Sequence, residues 1–154
     1  MKNMLITGGA GFIGCHAATH FAERGWRVTA FDDLSRRGSA INFDFLRGRG
    51  DIDCVRGDVR VPADLDRCVE RIGTLDAVLH MAAQVAVTTS VVDPRHDFEV
   101  NAFGTFNVLE TVRRHAPKAA FIYASTNKVY GGLEHHHVIE RDGRYDFDDV
   151  PRGV

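Results

Sequence analysis

The chain has 154 residues, enough for one domain with a real core, and its 44% apolar content and net charge of −2 exclude a global electrostatic pull toward nucleic acid or an acidic membrane. No apolar stretch reaches the roughly 20 residues of a membrane span, and Met4 to Ile13 reads as strand and turn, not as a signal peptide, so the expected location is cytoplasmic. Cys15, Cys54 and Cys68 are odd in number and scattered, which argues for reduced thiols and against a disulfide framework or a metal site.

Apolar runs and helical patterns alternate along most of the chain. Strands are expected near 3–7, 27–31, 52–56, 76–80 and 119–124, and helices near 12–24, 40–48, 62–72 and 93–115. Pro62 falls in the first turn of its helix, as does Pro94 after Asp93, a capping residue. This βα alternation predicts an α/β fold, a Rossmann-type doubly wound parallel sheet. Right-handed crossovers give about five strands in the order 3-2-1-4-5, with the ligand crevice over the first strand.

The first strand runs into Thr7-Gly8-Gly9-Ala10-Gly11-Phe12-Ile13-Gly14, which opens a helix. Gly8 allows a tight turn, Gly11 lets a pyrophosphate approach the backbone, and Gly14 lets helix and strand pack closely. The helix N-terminus adds free N–H groups and a partial positive charge. Asp32 ends the second apolar run, where a carboxylate takes ribose hydroxyls. Strand, glycines, helix, strand and acid in this order predict a dinucleotide site. Asp32 favours NAD, because it would repel a 2′-phosphate, although Arg36 and Arg37 stand close enough to reach one.

The later strands also end in polar or small residues: Gly57-Asp58-Val59, His80-Met81-Ala82-Ala83-Gln84, and Tyr123-Ala124-Ser125-Thr126. An open α/β sheet binds its ligands at these ends. The long helix carries one apolar stripe of Phe98, Ala102, Phe106, Leu109 and Val112, with Val100, Phe103 and Val108 off that line. One stripe can cover the sheet. The other needs another helix or subunit, which predicts a homo-oligomer through helix 93–115. Residues 1–130 form the expected cofactor domain, and 131–154, with His135-His136-His137 and mixed charges, read as a loop or extended tail. Adjacent histidines in an extended segment point to opposite sides, so no metal is expected.

The ordered set TGGAGFIG, FDDLS, GDV, HMAAQ, the helix with Asn101, and STNKVYG resembles the extended short-chain dehydrogenases that act as NAD-dependent nucleotide-sugar epimerases and dehydratases. Within that family, TNKVYG and AAQVAVTTS are most similar to the CDP-paratose 2-epimerases (tyvelose epimerases). The resemblance implies that Gly8, Gly11, Phe12, Ile13 and Gly14 hold the pyrophosphate, and Asp32 the adenine ribose with Asp33 and Ser35 beside it. It implies adenine contacts for Asp58 and Val59, a path under the ribose and pyrophosphate along Met81, Ala82 and Ala83, and a cofactor-site role for Asn101. Thr126 matches the active-site Ser/Thr that hydrogen-bonds the reacting sugar hydroxyl. Family dehydratases carry an acidic pair after this threonine; Asn127 and Lys128 stand there, which favours epimerisation by transient oxidation and re-reduction of a sugar carbinol.

The family's acid/base pair, Tyr-x-x-x-Lys, is absent: four residues beyond Tyr123, Tyr130 and Tyr145 stand Asn127, Glu134 and Asp149. The catalytic helix and the C-terminal substrate domain are expected beyond Val154. The expected function is the NAD-binding portion of a nucleotide-sugar epimerase, inactive alone. The alternatives are a non-catalytic short form that binds NAD or a protein partner, and a UDP-sugar 4-epimerase or other family dehydratase or reductase.

Overall fold

The computed structural model describes residues 1–126 and 132–149. The chain divides into two compact units, Met1–Ala124 and the segment from Ser125 onward.

The first unit is built on a five-stranded parallel sheet in the order β3-β2-β1-β4-β5. The strands are β1 (Asn3–Thr7), β2 (Arg27–Asp32), β3 (Ile52–Arg56), β4 (Ala77–His80) and β5 (Ala120–Tyr123). β1 pairs with β2 from Asn3↔Arg27 to Thr7↔Phe31, and with β4 from Met4↔Ala77 to Thr7↔His80. Central parallel strands are covered on both faces, so they read as continuous apolar runs. Their side chains alternate between two cores: Leu5, Phe31 and Val78 lie in one, Met4, Ile6, Val28 and Ala30 in the other.

α1 (Phe12–Ala22) and α2 (Ser39–Arg49) cover the second face through Cys15, Ala18 and Leu46. α3 (Pro62–Ile72) and α6 (Gly104–His115) cover the first through Leu65, Val69, Val108 and Val112. Pro62 opens α3 as expected, and the Asp93 carboxylate caps α5 (Pro94–Phe98) by accepting from His96 N at 3.0 Å.

Two features differ from the sequence expectation in this unit. Residues 87–92 form a short helix, α4 (Val87–Val92), although the β-branched run VTTSVV has poor helix propensity. Ser90 ties it down, its hydroxyl reaching Ala86 O at 3.1 Å and Asp97 Oδ1 at 2.6 Å. The expected single helix over 93–115 is interrupted by a π-helical segment, Glu99–Phe103, between α5 and α6. An extra residue in the turn rotates the following helix face by about 100°. The buried face of α6 therefore runs through Gly104, Asn107, Val108, Thr111 and Val112, drawing on both predicted stripes. Phe98, Phe103, Phe106 and Leu109 are exposed. The buried polar pair is satisfied: Asn107 Nδ2 donates to Val59 O at 3.0 Å, and Thr111 Oγ1 to Asp66 Oδ1 at 3.2 Å.

Within the stretch read as a loop or extended tail, the described residues of the second unit include a hairpin. β6 (Val138–Arg141) and β7 (Arg144–Phe147) pair antiparallel around Asp142-Gly143, whose φ values of 51° and 75° are those of a tight hairpin turn. His136 Nδ1 pairs with Asp149 Oδ2 at 2.8 Å. Among the described residues no helix is long and apolar enough to cross a membrane.

Candidate cofactor site

The C-terminal ends of β1 to β4 surround a cleft of about 610 Å³. It is lined by every residue expected to hold the cofactor except Asn101: Gly8, Gly11, Phe12, Ile13 and Gly14 from the turn and α1, Asp32, Asp33 and Ser35 after β2, Asp58 and Val59 after β3, and Met81, Ala82 and Ala83 after β4.

The turn is shaped by the absence of side chains. Gly8 has φ +67°, and a Cβ there would stand 2.7 Å from Ala82 N; on Gly14 it would stand 2.1 Å from Gly8 O. On Gly11 the close neighbour would be Gly8 O alone, at 3.1 Å. The turn's backbone groups are bound internally: Gly9 N donates to Phe31 O at 3.1 Å, Gly11 N to Gly8 O at 3.0 Å, and Ala10 N to Asp32 Oδ2 at 3.0 Å. Asn42 Nδ2, from α2, donates to Ala10 O at 2.9 Å. Asn42, Arg36, Arg37, Gln84, His96 and Val100 also line the cleft although the glycine motif does not mark them. For Asn42 the usable signal was a polar residue in the first turn of the helix that follows the acid.

Asp32 also accepts from Leu34 N at 2.9 Å, and the residue lines the cleft. Burial pushes its pKa up and these amides pull it back, while neighbouring Asp33 adds to the rise. Asp33 holds Ser35 through its backbone N–H at 2.9 Å and its hydroxyl at 2.7 Å. At the other rim, Arg60 makes a fork with Asp58, Nε at 2.9 Å and Nη2 at 2.6 Å from Oδ2, and reaches His96 Nδ1 at 3.3 Å. Burial raises Asp58, but the Arg60 guanidinium and amide outweigh it and hold the carboxyl below its ordinary value.

Asn101 acts one layer out. Its Oδ1 accepts from Gln84 N at 2.9 Å, and its Nδ2 donates to Gln84 O at 3.0 Å and to Asp97 Oδ1 at 3.0 Å. It thus pins the backbone of the cleft floor. Thr126 lies in the second unit and is exposed; Asn127, Lys128 and Tyr130 lie outside the described residues. The three cysteines are free, and burial pushes the Cys68 thiol up to about 12, which leaves it inert at neutral pH.

A parallel sheet in this order, with a glycine turn under a helix N-terminus and an acid at the end of β2, defines a Rossmann-type dinucleotide-binding unit. The sequence profile of the GDP-mannose 4,6 dehydratase family matches residues 5–146, and the chain belongs to that family. It is 42% identical to the CDP-paratose 2-epimerase of Salmonella typhi over 97% of this chain and 44% of that protein. It is 37% identical to the dTDP-glucose 4,6-dehydratase of Mycolicibacterium smegmatis over 85% of this chain and 38% of that one. Among solved structures, the UDP-glucose 4-epimerase of Thermus thermophilus in complex with NAD superposes with a TM-score of 0.71 at 36% identity, over 80% of this chain and 37% of that one. The UDP-Glc/GlcNAc 4-epimerase of Campylobacter jejuni gives 0.76 at 30% identity, over 85% and 39%. The chain therefore spans less than half the length of these relatives.

Proposed function

We propose that this chain binds NAD in the cleft over β1 as the cofactor-holding portion of a nucleotide-sugar epimerase of the CDP-paratose 2-epimerase kind. The carrying observation is Asp32, which lines the cleft while two backbone amides fix its carboxylate in position. It presents acceptors for a ribose diol, and its charge, with Asp33 alongside, opposes a 2′-phosphate. The residues fit the group. Gly11 leaves a pyrophosphate room at the start of α1, Asp58 and Val59 edge the adenine end, and Ala82 and Ala83, beside Met81, give a floor of short side chains.

When bound, NAD would supply a hydride acceptor for the transient oxidation of a sugar carbinol to its ketone, and would return the hydride to the opposite face of that carbonyl. In this reading Thr126 accepts and donates hydrogen bonds at the reacting sugar hydroxyl. Asn127 and Lys128, in place of an acidic pair, favour epimerisation over loss of water. No Tyr-x-x-x-Lys occurs in the 154 residues, so the chain by itself binds cofactor without turning over a CDP- or UDP-sugar. Residues 1–130 serve as the cofactor domain, with 131–154 leading toward the substrate part. Three free cysteines accord with a reducing, cytoplasmic setting. The exposed Phe98, Phe103, Phe106 and Leu109 form the surface through which two copies associate.

Calorimetric titration of the purified chain tests the cofactor reading. Saturable NAD binding is expected, at least about tenfold tighter than NADP and abolished in Asp32→Ala. Absence of NAD binding, or a preference for NADP, would overturn it. Light scattering that shows a monomer at high concentration would remove the association, which Phe106→Glu is expected to disrupt.

A further inference from the structure

His80 ends β4 and is 1% exposed, an ionisable ring in the sheet that no part of the cofactor reading uses. It has a partner at each nitrogen: Nδ1 lies 2.5 Å from Thr7 Oγ1 and Nε2 lies 2.9 Å from Thr105 Oγ1. The outer partners fix the direction of both bonds. Thr105 Oγ1 is 2.6 Å from Asn101 O, and a carbonyl only accepts, so the hydroxyl proton goes there. His80 Nε2 must then be the donor to Thr105. A neutral ring with its proton on Nε2 accepts at Nδ1, so Thr7 donates to it. Thr7 Oγ1, its proton used, accepts from Ala82 N at 3.4 Å.

The bonds form one directed chain: Ala82 N–H to Thr7, Thr7 to His80, His80 to Thr105, Thr105 to Asn101 O. Both ends meet the same short segment. Ala82 is in the cleft floor, and the Asn101 side chain grips both backbone groups of Gln84. The carbonyl that receives the last bond belongs to the π segment Glu99–Phe103.

We propose that His80, fixed as the neutral Nε2–H tautomer, is a positioning residue that ties Thr7 to Thr105 and so holds the floor segment Met81–Gln84 in place for the cofactor. This rests on the NAD reading for its functional consequence, though not for the tautomer. The ring faces Thr7 from β1, Thr105 from α6, and Phe121 and Tyr123 from β5, with the Tyr123 ring stacked at 5.8 Å. Tyr123 is the titratable group among these, and burial is what lowers the imidazole pKa, to about 4. Protonation would place a second donor on Nδ1, against the Thr7 proton, and reverse a chain whose Ala82 end cannot accept.

Two measurements on the full 154-residue chain test this. Nitrogen-15 imidazole NMR is expected to show His80 neutral with its proton on Nε2 from pH 7.5 down to 5. A proton on Nδ1, or a charged ring at pH 6, overturns the proposal. Thr105→Val is expected to weaken NAD binding about tenfold with helix content retained, while Thr105→Ser, which keeps the hydroxyl, stays within about twofold. Equal NAD affinity in folded Thr105→Val overturns the positioning role even if its melting temperature falls. Should that variant fail to fold, the wild-type nitrogen spectrum still decides the tautomer. A wild-type chain with no NAD affinity defeats the cofactor reading and the positioning role together, while the spectrum still accepts or rejects the directed chain.

Discussion

The two walls of the cleft are made by opposite means. Where β1 turns into α1, Gly8 and Gly14 work by having no side chain, and backbone packs on backbone. Where β4 meets α6, the floor is held by Asn101, His80, Thr7 and Thr105 through side-chain hydrogen bonds. The first wall should be intolerant of volume. The second should be intolerant of lost donors and acceptors, and this contrast orders the expected effects.

The largest belongs to the turn. Gly14→Ala puts a Cβ 2.1 Å from Gly8 O, a backbone atom that cannot swing aside. A loss of about 3 kcal/mol or more is expected in urea denaturation, enough to leave much of the chain unfolded at 37 °C. Near wild-type stability would mean that the turn yields to the added methyl group.

Acid should strike the other wall. Burial lowers the His80 pKa from 6.5 to about 4, so the unfolded chain binds its proton first. The stability this ring contributes is fully present above pH 6.5 and is lost as pH falls toward about 4, a total on the order of 3 kcal/mol. His80→Gln should flatten the fall of melting temperature through that window. Asp58 has the opposite origin but the same sign, since its lowered pKa removes stability only below the ordinary carboxylate value of 3.8. An unchanged slope in His80→Gln would show that the ring titrates freely.

Asn101→Ala leaves Gln84 N–H and C=O without their partner, and about 2 kcal/mol with weakened NAD binding is expected. The smallest effect belongs to the rim. Arg60→Ala removes a partly exposed ion pair, so the unfolding free energy should fall by under about 1 kcal/mol. In that variant the Asp58 carboxyl should titrate nearer its ordinary value, which carbon-13 NMR reads directly.

The same contrast explains what was legible. β1 and β2 are continuous apolar runs because both their faces are covered, and glycine at a strand-to-helix turn has few other uses. The buried face of the long helix was not legible because one π turn, invisible in hydropathy, rotated the face of α6 that follows it and left Phe106 and Leu109 outward. The hairpin over 138–147 was hidden by charge, although Asp142-Gly143 is a turn signal. The clamp of Asn101 on Gln84 was not legible: the resemblance named Asn101, but nothing local ties it to a backbone segment 17 residues earlier.

The internal bonds of the glycine turn bear on how a ligand would arrive. Ala10 is wholly buried, its N–H held by Asp32 and its C=O by Asn42, with Gly9 and Gly11 bound on either side. The conformational entropy of this loop is given up when the chain folds, not when a dinucleotide docks. Binding at the phosphate end should therefore proceed without induced fit, and the backbone of residues 7–14 should superpose in free and bound forms.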